Sequence, residues 1–383
     1  MRRSYADSPQ LALDQLAPER IAFARELRGL TKKELAKKVR RTPSAVTQFE
    51  NGSLKPNVET LVELSFALGV PTTFFRKPAA ADPRIAVDAC HFRALRATTQ
   101  TERRRTTRIG ELYLLLYAEL ANRGVLFPPA ALPMDWPLPK SMDDVERLAT
   151  DLRQFFGLGL GPLPHLLRLL ESKGVQILPL AEAANRVDAY SVWHQAQPCM
   201  MLPFSKRPSR VRFDAAHELG HLVMHEEAEA GSKVVEDQAH RFAGAFLAPR
   251  ATFLPECPRR WSLPVFSQLK MRWKMSIQAL VRRALDLGQL SYSSYRAAFI
   301  QLSEMNLRLD EGSEWEPERP VLLEKALHLL KNEVTLVDLA AALGVHKKEL
   351  SQLLRETVSQ ELVIGLDRET PDAEPIVGYR RDS

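Results

Sequence analysis

Phe213-Asp214-Ala215-Ala216-His217-Glu218-Leu219-Gly220-His221-Leu222-Val223-Met224-His225 is the stretch on which the reading of this chain turns. It contains His-Glu-x-x-His inside a run that reads as helix. Residues four apart share a helical face, so His217 and His221 can present two imidazoles to one metal ion. Glu218, one position on, is placed to act as base toward a water held there. Ala215, Ala216, Leu219, Leu222 and Val223 suit a helix buried in a core. Two histidines and a carboxylate in such a helix need a partner, because unsatisfied buried polar groups are costly. A metal ion is that partner.

The 383-residue chain is long enough for two to four domains. Its hydrophobic fraction of 45% and charged fraction of 26% are ordinary for a globular protein. No apolar run approaches the roughly 20 residues that span a bilayer, so no membrane partner is expected. Three isolated cysteines (Cys90, Cys199 and Cys257) form neither a disulfide framework nor a metal knuckle, and a reducing cytoplasm fits them best. Residues 1–78 hold 14 Lys/Arg against 8 Asp/Glu, which accounts for the whole net charge of +6. A nucleic-acid partner is therefore expected at the N-terminal end.

That end predicts short helices over Pro18–Leu27, Glu34–Val39, Ser44–Glu50 and Val58–Leu68, with a fifth at Thr72–Phe75. Thr31 with Glu34 is a capping box, and Thr42 with Pro43 marks the next helix start. Two short helices about a tight turn in a basic bundle can enter the major groove. Leu30 to Ala36, Ser44 to Gly52, Lys55-Pro56 and Leu68-Gly69-Val70 resemble the Xre/lambda-repressor-type family over about 15–75. The resemblance implies that Thr42, Ser44, Ala45 and Gln48 read base edges of an operator while Lys32, Thr47, Asn51 and Lys55 hold phosphates. It also implies a homodimer. Lys32 stands where the family often has Gln. The bland alternative is a bundle that binds only protein.

Residues 79–108 read as a linker, whose Arg/Thr-rich end (Thr101–Arg108) is a solvated helix or a second DNA-backbone contact. A long amphipathic helix is predicted over Ile109–Arg123. Further helices follow at Asp143–Phe156 and Pro164–Lys173, then strands at Gly174–Leu180, Asp188–His194 and Pro198–Leu202 before the His217 helix. The third ligand must come from elsewhere. His225 follows His221 by only four residues, still in the helix, and is set aside as a bystander. The better candidate is Glu236, at the start of a second helix with Ala239, Phe242, Ala243 and Phe246 behind it. The histidine motif, followed by Glu236-x-x-Ala239-x-x-Phe242-Ala243 and Phe246-Leu247-Ala248-Pro249, resembles the ImmA/IrrE family of zinc metallopeptidases over about 110–250. This implies an α+β zincin-like domain with a small sheet, Zn2+ held by His217, His221 and Glu236, and Glu218 as general base. His240 departs from the usual Asn and, one turn beyond Glu236, is a candidate to orient that ligand or to compete with it. Tyr190 and His194 are candidates to stabilise the oxyanion.

Beyond 250, a helical extension to 309 and an acidic linker at Asp310–Glu314 lead to a helical module at 318–366 and a tail. Thr335 with Asp338 caps a segment whose Leu343-Gly344-Val345 turn mimics a second helix-turn-helix. The expected fold is multidomain and mainly α. The functional expectation is a DNA-binding regulator carrying a zinc endopeptidase that cuts a repressor, another partner or itself. The alternative is a DNA-binding regulator whose metal domain is structural or ligand-sensing. A housekeeping protease is the weaker third reading.

Overall fold

The structure, a computed structural model, describes residues 9–76, 83–86, 99–133, 136–180, 189–225 and 232–367. Cys90, Asp188, the expected tail beyond 367, and the expected linker before 99 apart from 83–86 lie outside them.

The chain begins with a helix the sequence did not announce, α1 (Pro9–Asp14). α2 (Pro18–Leu27), α3 (Lys32–Lys38), α4 (Pro43–Asn51) and α5 (Val58–Leu68) follow, then a 3-10 turn at Thr72–Phe75. Both expected starts are present. Glu34 N donates to Thr31 Oγ1 at 3.2 Å while Thr31 N donates to the Glu34 carboxylate at 2.7 Å. Ala45 N donates to Thr42 Oγ1 at 3.1 Å. Gly52, at φ 78°, takes the left-handed conformation that ends α4. Ile21, Leu35, Val46, Leu61 and Leu64 form the bundle core. Buried Arg25 pairs with Glu50 (2.5 Å) and so ties α2 to α4.

α6 (Gln100–Asn122) starts nine residues before the expected Ile109. Thr99 and Glu102 form a capping box, and Arg104 and Arg108 behind it find a partner in α2. Arg108 pairs with Glu26 (2.9 Å) and Glu111 (2.6 Å), and Arg104 with Glu26 (3.3 Å). The Arg108 guanidinium also lies 5.1 Å from the Phe23 ring centroid. Thr106 and Thr107 are buried. The stretch read as a solvated helix or linker is thus an interface with the N-terminal bundle, because Glu26 of α2 adds a distant carboxylate to the local one of Glu111.

Next come α7 (Met142–Phe155), α8 (Leu166–Ser172), β1 (Gln176–Pro179), β2 (Tyr190–His194) and β3 (Gln197–Leu202). β3 is central, parallel to β1 and antiparallel to β2. Strand alternation divides the hydrophobic interior. Leu178, Tyr190, Val192, Cys199 and Met201 face one core, shared with the N-terminal bundle and α6. Ile177, Met200 and Leu202 face a second core, built with α7, α8 and the helices that follow the sheet.

Those helices are α9 (Pro208–Met224), α10 (Lys233–Leu247), α11 (Arg250–Glu256), α12 (Leu263–Trp273), α13 (Ile277–Asp286) and α14 (Tyr292–Glu304). Arg210–Phe213, just ahead of the histidine motif, is already helical, since Pro208 occupies the first turn of α9. The acidic segment after α14 is anchored, which corrects its reading as a plain linker. Glu314 accepts from Ser209 N (2.7 Å) at the start of α9, and Glu311 from Ile277 N (2.7 Å) at the start of α13. Glu314 thus serves the start of α9, which has no side-chain cap, and Glu311 adds to the Ser276 cap of α13. Lys270 lies between them at 3.6 and 3.9 Å.

α15 (Leu322–Leu330), α16 (Leu336–Leu343), α17 (Lys347–Leu354) and α18 (Gln360–Leu366) complete the chain. They pack into the first core rather than standing apart. Tyr113 of α6 donates to Leu353 O at 2.6 Å, and Arg28 after α2 grips both carboxylate oxygens of Glu349. No helix among the described residues is long and apolar enough to cross a membrane.

Candidate metal centre and nucleic-acid face

α9 is buried on almost every side, from Ser209 to Met224. A helix enclosed in this way carries its polar residues inward, so each must be satisfied by tertiary partners. α10 crosses it closely. A Cβ on Gly220 would lie 3.0 Å from the Phe242 ring, and Phe242 is itself fixed by stacking on Phe246 at 5.7 Å. This approach brings the first turn of α10 over the two histidines.

His217 Nε2 and His221 Nε2 are 3.1 Å apart. Glu236 reaches both: Oε2 is 3.4 Å from His217 Nε2 and Oε1 is 3.6 Å from His221 Nε2. The three donors form the group able to hold a metal ion among the described residues. Ligand bonds of about 2.0–2.1 Å around a tetrahedral ion place neighbouring donors about 3.3 Å apart. The observed separations match. Glu236 Oε1 is buried without a hydrogen bond, which a cation between the donors would remedy. The residues fit zinc.

Glu218 is 1% exposed, and Ser191 Oγ donates to its Oε2 at 2.7 Å. Two residues along β2, Trp193 Nε1 donates to Leu222 O at 3.0 Å. A strand step of two and a helix step of four cover similar lengths, so β2 and α9 run in register. Ser191 escaped the sequence reading, although strand alternation opposite Tyr190 was a usable signal. Tyr190 itself points the other way. Its hydroxyl donates to Thr106 O (3.3 Å) in α6, so it is not the expected oxyanion group. His194 shares the Tyr190 face by alternation, and burial holds its imidazole below the usual range.

His225 is not among the three donors, yet it is no bystander. Its Nδ1 lies 3.1 Å from His221 Nδ1 and its Nε2 lies 2.9 Å from Gln238 Oε1. His240 stands with its ring 6.0 Å from that of His217 and 4.9 Å from Phe213. With His217, Glu236, Asp237, Arg241 and Arg282 it lines a cleft of about 450 Å³. A larger cleft of about 690 Å³ continues past His240 and Arg282 toward Phe213 and Tyr295.

On the N-terminal bundle, Thr42, Ser44, Gln48, Asn51 and Lys55 are exposed along and beside α4. Ala45 is half-buried against the core. Lys32 Nζ lies 3.2 Å from Thr47 Oγ1 and 3.6 Å from Glu50, and the Asn51 side chain accepts from Ser53 N at 3.0 Å. Of the four expected phosphate-holding residues, Asn51 and Lys55 are exposed at and beyond the end of α4, while Lys32 and Thr47 meet, half-buried, beside its middle.

Residues 21–75 match the helix-turn-helix family model, and residues 170–285 match the model of the IrrE N-terminal-like domain. The second match starts at α8 and runs through α13, later at both ends than the expected 110–250. No curated protein matches the chain. With the donor cluster on α9 and α10 and the capped α3–α4 pair, these matches show that the chain unites an Xre-like DNA-binding helix-turn-helix domain with an ImmA/IrrE-like metallopeptidase-family domain.

Proposed function

We propose that the protein is a DNA-binding transcription regulator whose second domain hydrolyses a peptide bond in a protein substrate. The observation that carries this reading is the cluster of His217, His221 and Glu236 within 4.8 Å, with the buried carboxylate of Glu218 on the same helix. His217, His221 and Glu236 would hold Zn2+. Bound there, the ion would lower the pKa of a coordinated water and polarise the scissile carbonyl. Glu218 accepts the proton of the attacking water and returns it to the leaving amine. Ser191 fixes one oxygen of Glu218, so the other is directed by a side chain that cannot swing freely. His240, on the wall of the cleft, orients Glu236 or faces the substrate.

The substrate class is a protein, with a helix-turn-helix repressor or a second copy of this chain as the first choices. A stress, phage or mobile-element circuit is the setting in which a regulator of this kind operates, in the cytoplasm. The proposed divisions are 15–78 for the DNA-binding domain and 109–250 for the peptidase domain, joined by 79–108, whose last residues are the start of α6 packed on the N-terminal bundle. The helical extension follows at 251–309, the C-terminal module at 318–366 and the tail at 367–383. Thr42, Ser44, Ala45 and Gln48 read bases and Lys32, Thr47, Asn51 and Lys55 hold backbone, with a homodimer matching two half-sites.

Glu218→Gln tests the catalytic part. The variant should keep its zinc and its operator binding while cleavage of helix-turn-helix proteins encoded beside its gene disappears. Unchanged regulation in cells would sink the peptidase reading. A second reading, a metal domain that senses without turnover, has its own support. Tyr190 is bonded to α6 and neighbours Ser191, which holds Glu218, so the metal centre and the helix-turn-helix core share one sheet strand.

A further inference from the structure

The contacts of His225 define a chain of hydrogen bonds whose direction can be worked out from its far end. Gln238 Nε2 lies 3.3 Å from Pro139 O, and a carbonyl only accepts. The amide nitrogen of Gln238 therefore faces Pro139, and its oxygen faces His225 Nε2 at 2.9 Å. That oxygen also only accepts, so the proton of neutral His225 sits on Nε2. Its Nδ1 is left as an acceptor, 3.1 Å from His221 Nδ1. His221 must then carry its own proton on Nδ1, and its Nε2 lone pair is turned toward His217 Nε2 and Glu236. Nothing comparable holds His217, whose Nδ1 is buried without a hydrogen bond among the described residues.

We propose that His225 and Gln238 are positioning residues: a relay from Pro139 through both side chains presets His221 in the Nδ1–H tautomer, ready to give Nε2 to a cation. The value of the relay to metal binding rests on the zinc reading above, whereas the tautomer itself does not. Its physical basis is general. A ligand imidazole whose other nitrogen has a fixed partner has neither a ring orientation nor a proton position to rearrange on binding. The relay also joins three separate segments, the end of α9, the first half of α10 and the loop before α7, so metal affinity depends on all three.

The test uses the full chain with ¹⁵N-labelled histidine, stripped of metal by a chelator. Long-range ¹H–¹⁵N correlation should show the His221 proton on Nδ1 and the His225 proton on Nε2. Zinc affinity, measured by competition with a chromophoric chelator, should fall about 10- to 100-fold in His225→Phe. It should fall similarly in Gln238→Met, a half-buried site where the fold is not at risk. His225→Gln should recover most of the loss, because its amide can accept from His221 and donate to Gln238. A His221 proton on Nε2 in the metal-free chain, or wild-type affinity in His225→Phe and Gln238→Met, would overturn the relay. A wild-type chain that takes up no zinc would sink the peptidase reading instead, and the tautomer measurement would still decide the relay.

Discussion

Ser191 Oγ stands 2.7 Å from Glu218 Oε2, and it joins the edge strand of the sheet to the carboxylate at the heart of the metal helix. Removing the hydroxyl leaves the ligands alone but frees the base. Ser191→Ala should therefore retain zinc and lose about fivefold in cleavage rate, the equivalent of one hydrogen bond of about 1 kcal/mol. Measuring kcat alongside metal content checks this, and a variant with unchanged kcat removes Ser191 from the mechanism.

Zinc should stabilise the folded chain. At about 100 times its dissociation constant, a ligand that binds only the native state adds about 2.7 kcal/mol. Thermal unfolding with zinc and after chelation should differ by several degrees, and the difference should vanish in His217→Ala. Superimposable curves for the wild type would argue against a metal between α9 and α10.

Operator binding divides the exposed residues along and beside α4 by role. Lys55→Ala should weaken binding to all sequences alike and lower the salt slope by about 1. Gln48→Ala should cost about 1–3 kcal/mol and relax base preference at one position. Titrations at two or more salt concentrations separate the two effects. If Lys55→Ala leaves the salt slope as it was, that residue does not touch the backbone.

The C-terminal module is held to the N-terminal bundle by Arg28, which also donates to Leu68 O and Gly69 O. Glu349→Arg sets two guanidiniums against each other at that seam. Limited proteolysis should then cut within 318–366 at lower protease concentration than in the wild type. Equal resistance would mean that the apolar contacts with α6 suffice.

Asp144 offers a pH signature. Its hydrogen bond from Ser141, followed by its pairing with Arg147, pulls its carboxyl down from 3.8 to about 2. A carboxyl depressed on folding contributes stability above its unfolded value, and that contribution is lost as the pH falls through the folded value. The capping of α7 should thus hold down to the range between 3.8 and about 2 and fail below it. NMR titration of the Asp144 carboxyl reads this directly. In Asp144→Asn the loss of stability over that range should be shallower.

Local chemistry was legible in the sequence wherever spacing alone carried the information. The i, i+4 histidines, the capping boxes at Thr31 and Thr335, the Thr42–Pro43 start and the end of α4 at Gly52 all follow from rules that act within one turn of chain. The charge excess in the first 78 residues marked the nucleic-acid end in the same way. Tertiary structure decided the rest. Whether Thr101–Arg108 is solvated depends on Glu26, some 80 residues away and therefore invisible to any local pattern. Which face Tyr190 takes depends on how β2 packs between two cores. His225 shares helical spacing with every other fourth residue of α9, and only the arrival of Gln238 from α10 gives it a role. A buried polar group is defined by its partner, and here the partners come from distant segments that meet only when the helices pack.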